Sequence, residues 1–207
     1  MNQYISDTEF ASKALIELIY KEEIQQNELL LRYKSLEEIF ENLFLKFTIG
    51  NEKDDIYGSQ MKQKLIKVAE FSRDNNLIDK KNELTNIENS IITKKQSINS
   101  LSMSLLQIAK QGISLTYGGL IDSPNGRKLG KETLKNVIWQ ARNQSLHCEE
   151  GNPNNNVKKC FQNLQNDFGE KFDLSNNYKD NKAKYIIDLL CWNKYENYRK
   201  DLIQIIG

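Results

Sequence analysis

The stretch LTNIENSIITKKQSINSLSMSLLQI, residues 84–108, decides the fold class. Leu84, Ile87, Ile91, Ile98, Leu101, Leu105 and Ile108 recur at alternating steps of three and four, and Lys94 fills the one slot where an apolar residue is due. Such steps line up side chains along one side of a helix, whereas a half-buried strand would alternate at every second position. The pattern predicts one helix from Leu77 to about Gly112. Its apolar seam can face a second chain, as in a coiled coil. More commonly, a seam of this kind packs against another helix of the same chain.

Toward the N-terminus, Ser6-Asp7-Thr8-Glu9 has the form of a capping box, a hydroxyl followed three residues later by a carboxylate. Phe10, Ala14, Leu18 and then Leu36, Ile39, Phe40, Leu43, Phe44 and Phe47 recur at helical spacing, so a long helix from about Thr8 to Phe47 is expected. Ile49-Gly50-Asn51 should stop it, with a polar loop to about Ser59 and a short helix from Met61 to Arg73. Toward the C-terminus, the glycines of Tyr117-Gly118-Gly119 and the turn Asp122-Ser123-Pro124-Asn125-Gly126 predict a loop from Ile113 to Gly130. A helix from Lys131 to Glu149 follows, with Leu134, Ile138, Ala141 and Ser145 on one face, ended by Gly151-Asn152-Pro153. Val157 to Phe168 and Asn181 to Ile206 read as two more helices, the last with Ala183, Ile187, Leu190, Tyr198, Leu202 and Ile205 on its buried stripe. No strand pattern and no internal repeat emerges. The expected fold is all-α, an antiparallel helical bundle with long N-terminal and central helices.

Composition narrows the function classes. With 28% charged and 39% apolar residues over 207 positions, the balance is that of a globular chain. Two prolines and ten glycines are few interruptions and favour long helices. A net charge of +1 supplies no global field for nucleic acid, so a polyanion would be held by a local cluster or a site shared between subunits. Cys148, Cys160 and Cys191 form no C-x-x-C pair, which speaks against a disulfide framework and for a reducing compartment. The first residues carry neither a basic nor an apolar signal region, and no apolar run reaches the ~20 residues of a membrane span. A cytoplasmic protein without membrane contact is therefore expected.

One constellation carries chemistry. His147 is the single histidine, at a helix end beside a break, with Arg142 five residues earlier and Asn143 next to that arginine. An imidazole can accept or donate a proton near neutral pH, a guanidinium can clamp two phosphate oxygens, and an amide can orient a phosphate or a ribose hydroxyl. Five helical residues correspond to ~140° of rotation and ~7.5 Å of rise, so Arg142 and His147 do not share a face. Either the helix loosens near His147, or a second subunit completes the site. A twofold homodimer would bring two histidines and two arginines together from one sequence.

Plainer readings of the same residues exist. His147 can cap a helix C-terminus, with Arg142 in a surface ion pair. Cys148 would point ~100° away from His147 on a helix, which disfavours a thiol dyad. One histidine and three scattered cysteines offer little to a metal, and no metal or other cofactor is expected. Glu149 and Glu150 read as solvated or as contacts for a partner chain's histidine. Tyr185, Tyr195 and Tyr198 read as core and rim, and the asparagine-rich runs 152–156 and 175–177 as plain turns.

The run Arg142-Asn143-x-x-x-His147 resembles the signature of the HEPN superfamily, written arginine, a polar residue, three to five others, then histidine. The context Trp139 to His147 followed by Glu149-Glu150-Gly151 is similar to the motif region of defence-linked members. The resemblance covers residues 131–151, and the other helices by class only. It implies one helical domain over residues 1–207, with a helical insertion around 61–112 because such domains are often shorter. The implied activity is metal-independent endoribonuclease chemistry, in a toxin or antiphage-defence effector. The ribose 2′-hydroxyl would attack to leave a 2′,3′-cyclic phosphate, with His147 moving protons, Arg142 stabilising the phosphorane and Asn143 positioning the substrate. Implied partners are the RNA substrate, a second copy forming a homodimer with the site at its interface, and an antitoxin or regulatory protein. The alternative is a non-catalytic helical module that binds RNA, a nucleotide or a protein partner within a defence complex.

Overall fold

The computed structural model describes residues 2–49, 58–175 and 178–207; at 44, 46–49, 58–62 and 64 it describes the backbone alone. Among the described residues the fold is an all-α helical bundle with one small hairpin. The elements are α1 Gln3–Asp7, α2 Glu9–Ile49, α3 Gly58–Asp74, α4 Leu77–Tyr117, β1 Lys128–Leu129, β2 Glu132–Thr133, α5 Leu134–His147, α6 Asn155–Phe168, α7 Ala183–Leu189 and α8 Tyr195–Ile206. Short 3-10 turns at Cys148–Glu150 and Glu170–Phe172 follow α5 and α6. The stop expected at Gly50-Asn51, its polar loop through Tyr57 and the turn at Asn176-Asn177 lie outside the described residues.

The chain divides into two compact units, Met1–Glu23 with Gln96–Gly207, and Ile24–Lys95. Both boundaries fall inside the long helices α2 and α4.

In the larger unit the helical start lies upstream of the expected capping box. Asn2 is the N-cap, its side-chain oxygen accepting from the Tyr4 N–H at 3.0 Å, and Ser6 lies within α1. An asparagine cap satisfies an orphan donor as well as serine does, and α1 is held by Ile5, which is 1% exposed. On α2 the buried positions are Ser12, Ile16 and Ile19, while Phe10 is 85% exposed. The core continues through Leu105, Leu106, Ala109 and Ile113 of α4, and through Leu134, Ile138, Ala141 and Ser145 of α5.

Three further expectations are corrected in this unit. First, α4 runs past Gly112 and Ile113 to Tyr117, because Ile113 is fully buried and its packing outweighs a modest β-branched penalty. Gly118 then takes φ +73 and donates to the Ser114 carbonyl, a left-handed helix cap.

Second, a two-stranded antiparallel hairpin precedes α5, pairing Lys128 with Thr133 and Leu129 with Glu132. Its two-residue turn has Gly130 at φ +59, and the Lys131 N–H donates to Asp167 Oδ2 at 2.7 Å. Strands this short carry no periodic signal. A Cβ at Gly130 would collide with the Asp167 carboxylate. Gly130→Ala is therefore expected to lower unfolding free energy by about 2 kcal/mol, read from a shifted urea midpoint.

Third, the last helix is two helices. Leu190 to Lys194 form a turn in which Cys191 takes φ +57. Asp201, 3% exposed, accepts from Arg127 Nε at 2.8 Å, Arg127 Nη2 at 2.9 Å and Trp192 Nε1 at 2.9 Å. Arg127 Nη2 also donates to the Leu190 carbonyl at 2.9 Å, and Asn197 Nδ2 to that of Cys191 at 2.8 Å. Breaking the helix lets Trp192 bury completely, edge-on to Tyr198 with ring centroids 4.8 Å apart. The six residues of the expected stripe, from Ala183 to Ile205, are all buried.

In the smaller unit, α2, α3 and α4 supply the described structure. Arg32 Nη2 pairs with Glu83 Oε1 at 2.5 Å, Gln26 Nε2 donates to the Ile91 carbonyl at 3.3 Å, and Lys94 Nζ donates to Gln25 Oε1 at 2.7 Å. The α4 seam thus meets α2 of the same chain here, and Lys94 occupies its apolar slot by pairing with an amide. Ile87 is buried, while Leu84 and Ile91 are half-buried. α3 is one turn longer than the expected Met61 to Arg73.

Candidate functional site

α5 begins at the end of the hairpin, where Leu134 N–H donates to the Arg127 carbonyl and Lys135 Nζ to the Ser123 carbonyl. Its apolar face fixes its rotation: Leu134, Val137, Ile138 and Ala141 are buried to 1% exposure or less. That rotation leaves Arg142 and Asn143 half-buried and Leu146 and His147 exposed. α5 ends at His147, and the chain tightens into the 3-10 turn Cys148–Glu150. Gly151 at φ +68 closes that turn, its N–H donating to the Cys148 carbonyl at 3.1 Å. The helix loosens where the sequence suggested.

The tightened turn places Glu150 beside His147, with Oε1 2.6 Å from Nδ1. A carboxylate only accepts, so Nδ1 carries a proton in this pair, and in the neutral ring Nε2 is the nitrogen with the lone pair. His147 and Asn143 line one groove of about 300 Å³, together with Cys148, Glu150, Asn154 and Tyr178. Gln144, at its floor, is buried and structural: its amide donates to the Asp180 carbonyl at 2.8 Å and accepts from the Lys182 N–H at 3.0 Å. Lys158 Nζ lies 5.5 Å from the Tyr178 ring centroid, placing a cation beside an aromatic wall.

Arg142 does not line this groove. Its Nε donates to Gln107 Oε1 of α4 at 2.5 Å, and its Nη1 to Asn143 Oδ1 at 3.2 Å. Beside it, Lys110 Nζ sits 4.4 Å from the Trp139 centroid. Burial, and then the Arg142 charge, push the Lys110 ammonium below its ordinary pKa. Asn143 is thus the link, bonded to the guanidinium and facing the groove with the imidazole. The loosened turn does not bring Arg142 to His147 within one chain.

Cys148 contributes no nucleophile. Its thiol donates to the Ser145 carbonyl at 3.3 Å, and burial, then the Glu149 charge, raise its pKa. No group of three or more metal-ligating side chains occurs among the described residues. No helix among them is long and apolar enough to cross a membrane.

The sequence reading left Glu150 to solvent or to a partner chain's histidine, and missed Tyr178 altogether. Glu150 was legible from its i,i+3 spacing to His147, which places two helical side chains as neighbours. Tyr178 was not, since it reaches the groove from a segment 31 positions beyond His147. Comparison of the chain with protein-family models, curated proteins and solved structures finds no match.

Proposed function

We propose that this chain is a metal-independent endoribonuclease that cleaves RNA through the ribose 2′-hydroxyl, acting as a toxin or antiphage-defence effector. The observation that carries the reading is the Glu150–His147 pair, which holds the imidazole by Nδ1 so that Nε2 of the neutral ring is the proton acceptor, in a groove shared with Asn143. In this reading Nε2 of His147 removes the 2′-hydroxyl proton while that oxygen attacks the adjacent phosphorus. The 5′-oxygen leaves with a proton from the His147 of a second copy, and the Arg142 guanidinia balance charge on the phosphorane. Because Arg142 and His147 of one chain diverge, the reading requires a homodimer.

Incubating the purified protein with total RNA in excess EDTA and mapping the new ends tests the reaction. New 2′,3′-cyclic phosphates with 5′-hydroxyls are expected. Intact RNA at stoichiometric protein, or ends bearing a 5′-phosphate, would refute it. Glu150→Gln should slow cleavage by about 10-fold in single-turnover assays, since an amide orients the imidazole less well and does not balance its charge.

A second reading, a non-catalytic module that binds a protein partner, draws on the smaller unit. There Leu31, Leu65 and Ile78 are 68%, 59% and 69% exposed. Charge substitutions at Leu31 and Ile78 would abolish partner capture in that case, and His147 variants would keep the biological effect.

A further inference from the structure

Where α4 meets α5, two contacts one turn apart join the helices. Arg142 Nε donates to Gln107 Oε1 at 2.5 Å, and Lys110 Nζ lies 4.4 Å from the Trp139 ring centroid. Gln107 and Lys110 are three residues apart on α4, as Trp139 and Arg142 are on α5. Residues at that spacing are surface neighbours, with Cβ atoms about 5–6 Å apart. The two contacts therefore stand side by side and set the Lys110 ammonium next to the Arg142 guanidinium.

Chemistry fixes the direction of each hydrogen bond here. A guanidinium only donates, so Gln107 must turn its oxygen to Arg142 and its NH2 to Gln111, whose Oε1 accepts at 3.4 Å. Gln111 is left presenting its NH2. On the other side, Asn143 gives its oxygen to Arg142 Nη1, and its NH2 is likewise left over. Each side-chain oxygen is taken, and what remains is a set of donors: Arg142 Nη2, Lys110 Nζ and the Gln111 and Asn143 amide nitrogens. None of the four has a partner among the described residues. None is sealed from solvent either, in contrast to the buried unpaired hydroxyls of Ser102 and Ser114 on α4.

Neither cation pairs with an acidic side chain among the described residues. Two like charges side by side repel, and partial burial makes each one costlier. Burial and the Arg142 charge both oppose the Lys110 cation, and a bound anion offsets both. The Trp139 ring already holds the ammonium in place, so little side-chain freedom is lost when an anion arrives.

We propose that Lys110 binds a backbone phosphate of the RNA strand, next to the phosphate held by Arg142. The assignment rests on the nuclease reading for the path of the strand, since that reading puts the scissile phosphate at Arg142. Its chemistry rests on the donor-only surface. Two cations one helical turn apart suit an anion that repeats along a chain, as phosphates do along a nucleic acid strand. An acidic peptide repeats its charge as well, but its carboxylates sit on flexible stems that lose more freedom on binding. Phosphate contacts carry no base information, so this surface takes any sequence equally.

The test uses the full chain and a single-stranded 2′-O-methyl RNA, which lacks the free hydroxyl and stays uncut. Lys110→Met keeps the stem over Trp139 and removes the charge. It should bind this strand about 10-fold more weakly at low salt, whatever the sequence. The slope of log affinity against log salt should flatten by about 0.7, the loss of one phosphate contact on a single strand. Lys110→Arg should keep the parental slope, whereas a role confined to packing on Trp139 would leave the slope unchanged in both variants. On cleavable RNA, Lys110→Met should raise the half-saturating concentration about 10-fold and leave the saturating rate within about threefold. Parental affinity and slope in Lys110→Met overturn the proposal. So does displacement of the RNA by poly-glutamate at matched charge, which would assign the surface to an acidic protein partner. A parent that binds the strand, loses the slope in Lys110→Met and never cuts RNA means that the nuclease reading has failed while the phosphate site stands.

Discussion

His147→Ala is expected to reduce single-turnover RNA cleavage by about 10³-fold, the usual scale for losing a positioned acid–base group. Folding should be almost unaffected. The His147 side chain is 52% exposed and its one hydrogen bond is to Glu150, itself 66% exposed. Exposed pairs of this kind contribute about 0.5 kcal/mol, too little to confuse an activity measurement with instability. Thermal melting and cleavage by the same preparation settle the matter together. If the variant melts like the parent and cuts RNA at the parental rate, the proton-transfer role of His147 is wrong. A mixed dimer of His147→Ala and Arg142→Ala chains should also cut far more slowly than the parent, because the shared site then lacks one of its two imidazoles and one of its two guanidinia.

Asp201→Ala should have the largest effect on stability. Its carboxylate, on α8, takes two hydrogen bonds from Arg127 and one from the buried Trp192 indole. The hydrogen bonds to Asp201 hold the Arg127 guanidinium above its ordinary pKa, against the opposing effect of burial. Removing the acid leaves a half-buried cation with only the Leu190 carbonyl as acceptor, and a fully buried indole N–H without a partner. Breaking such a pair costs about 3–5 kcal/mol, a large part of a domain's usual margin. Denaturant titration followed by tryptophan fluorescence measures it directly, since Trp192 sits at the lesion. A loss below about 1 kcal/mol would mean that the broken last helix is held by apolar packing instead. Asp201→Asn keeps the shape and should fall between, because an amide accepts from Trp192 but presents NH2 to part of the guanidinium.

These predictions differ in how far they could be foreseen. His147 needed only the sequence: a lone histidine ahead of Gly151 and Pro153, with Arg142 and Asn143 five and four residues before it. Asp201 gave no local sign. It is one acidic residue in an amphipathic helix, and its donors arrive from 9 and 74 positions away. Gln107 and Lys110 lay open to inspection at i,i+3 spacing, but Arg142 and Trp139, which face them, belong to another helix.

The sequence alone determined that residues 84–108 are helical, that α5 buries Leu134, Ile138, Ala141 and Ser145, and that the helices are broken within the stretch 113–130 and again by Gly151. Periodicity and backbone stereochemistry act within a few residues, so they survive without knowledge of neighbours. Tertiary structure alone decided that Ile16 rather than Phe10 faces the core, that the last helix breaks so Trp192 can reach Asp201, and that Arg142 turns toward Gln107, away from the His147 groove. A period fixes which side chains share a face but not which face meets a partner. A buried polar group accepts whatever donor the packed fold brings to it, from any distance along the chain.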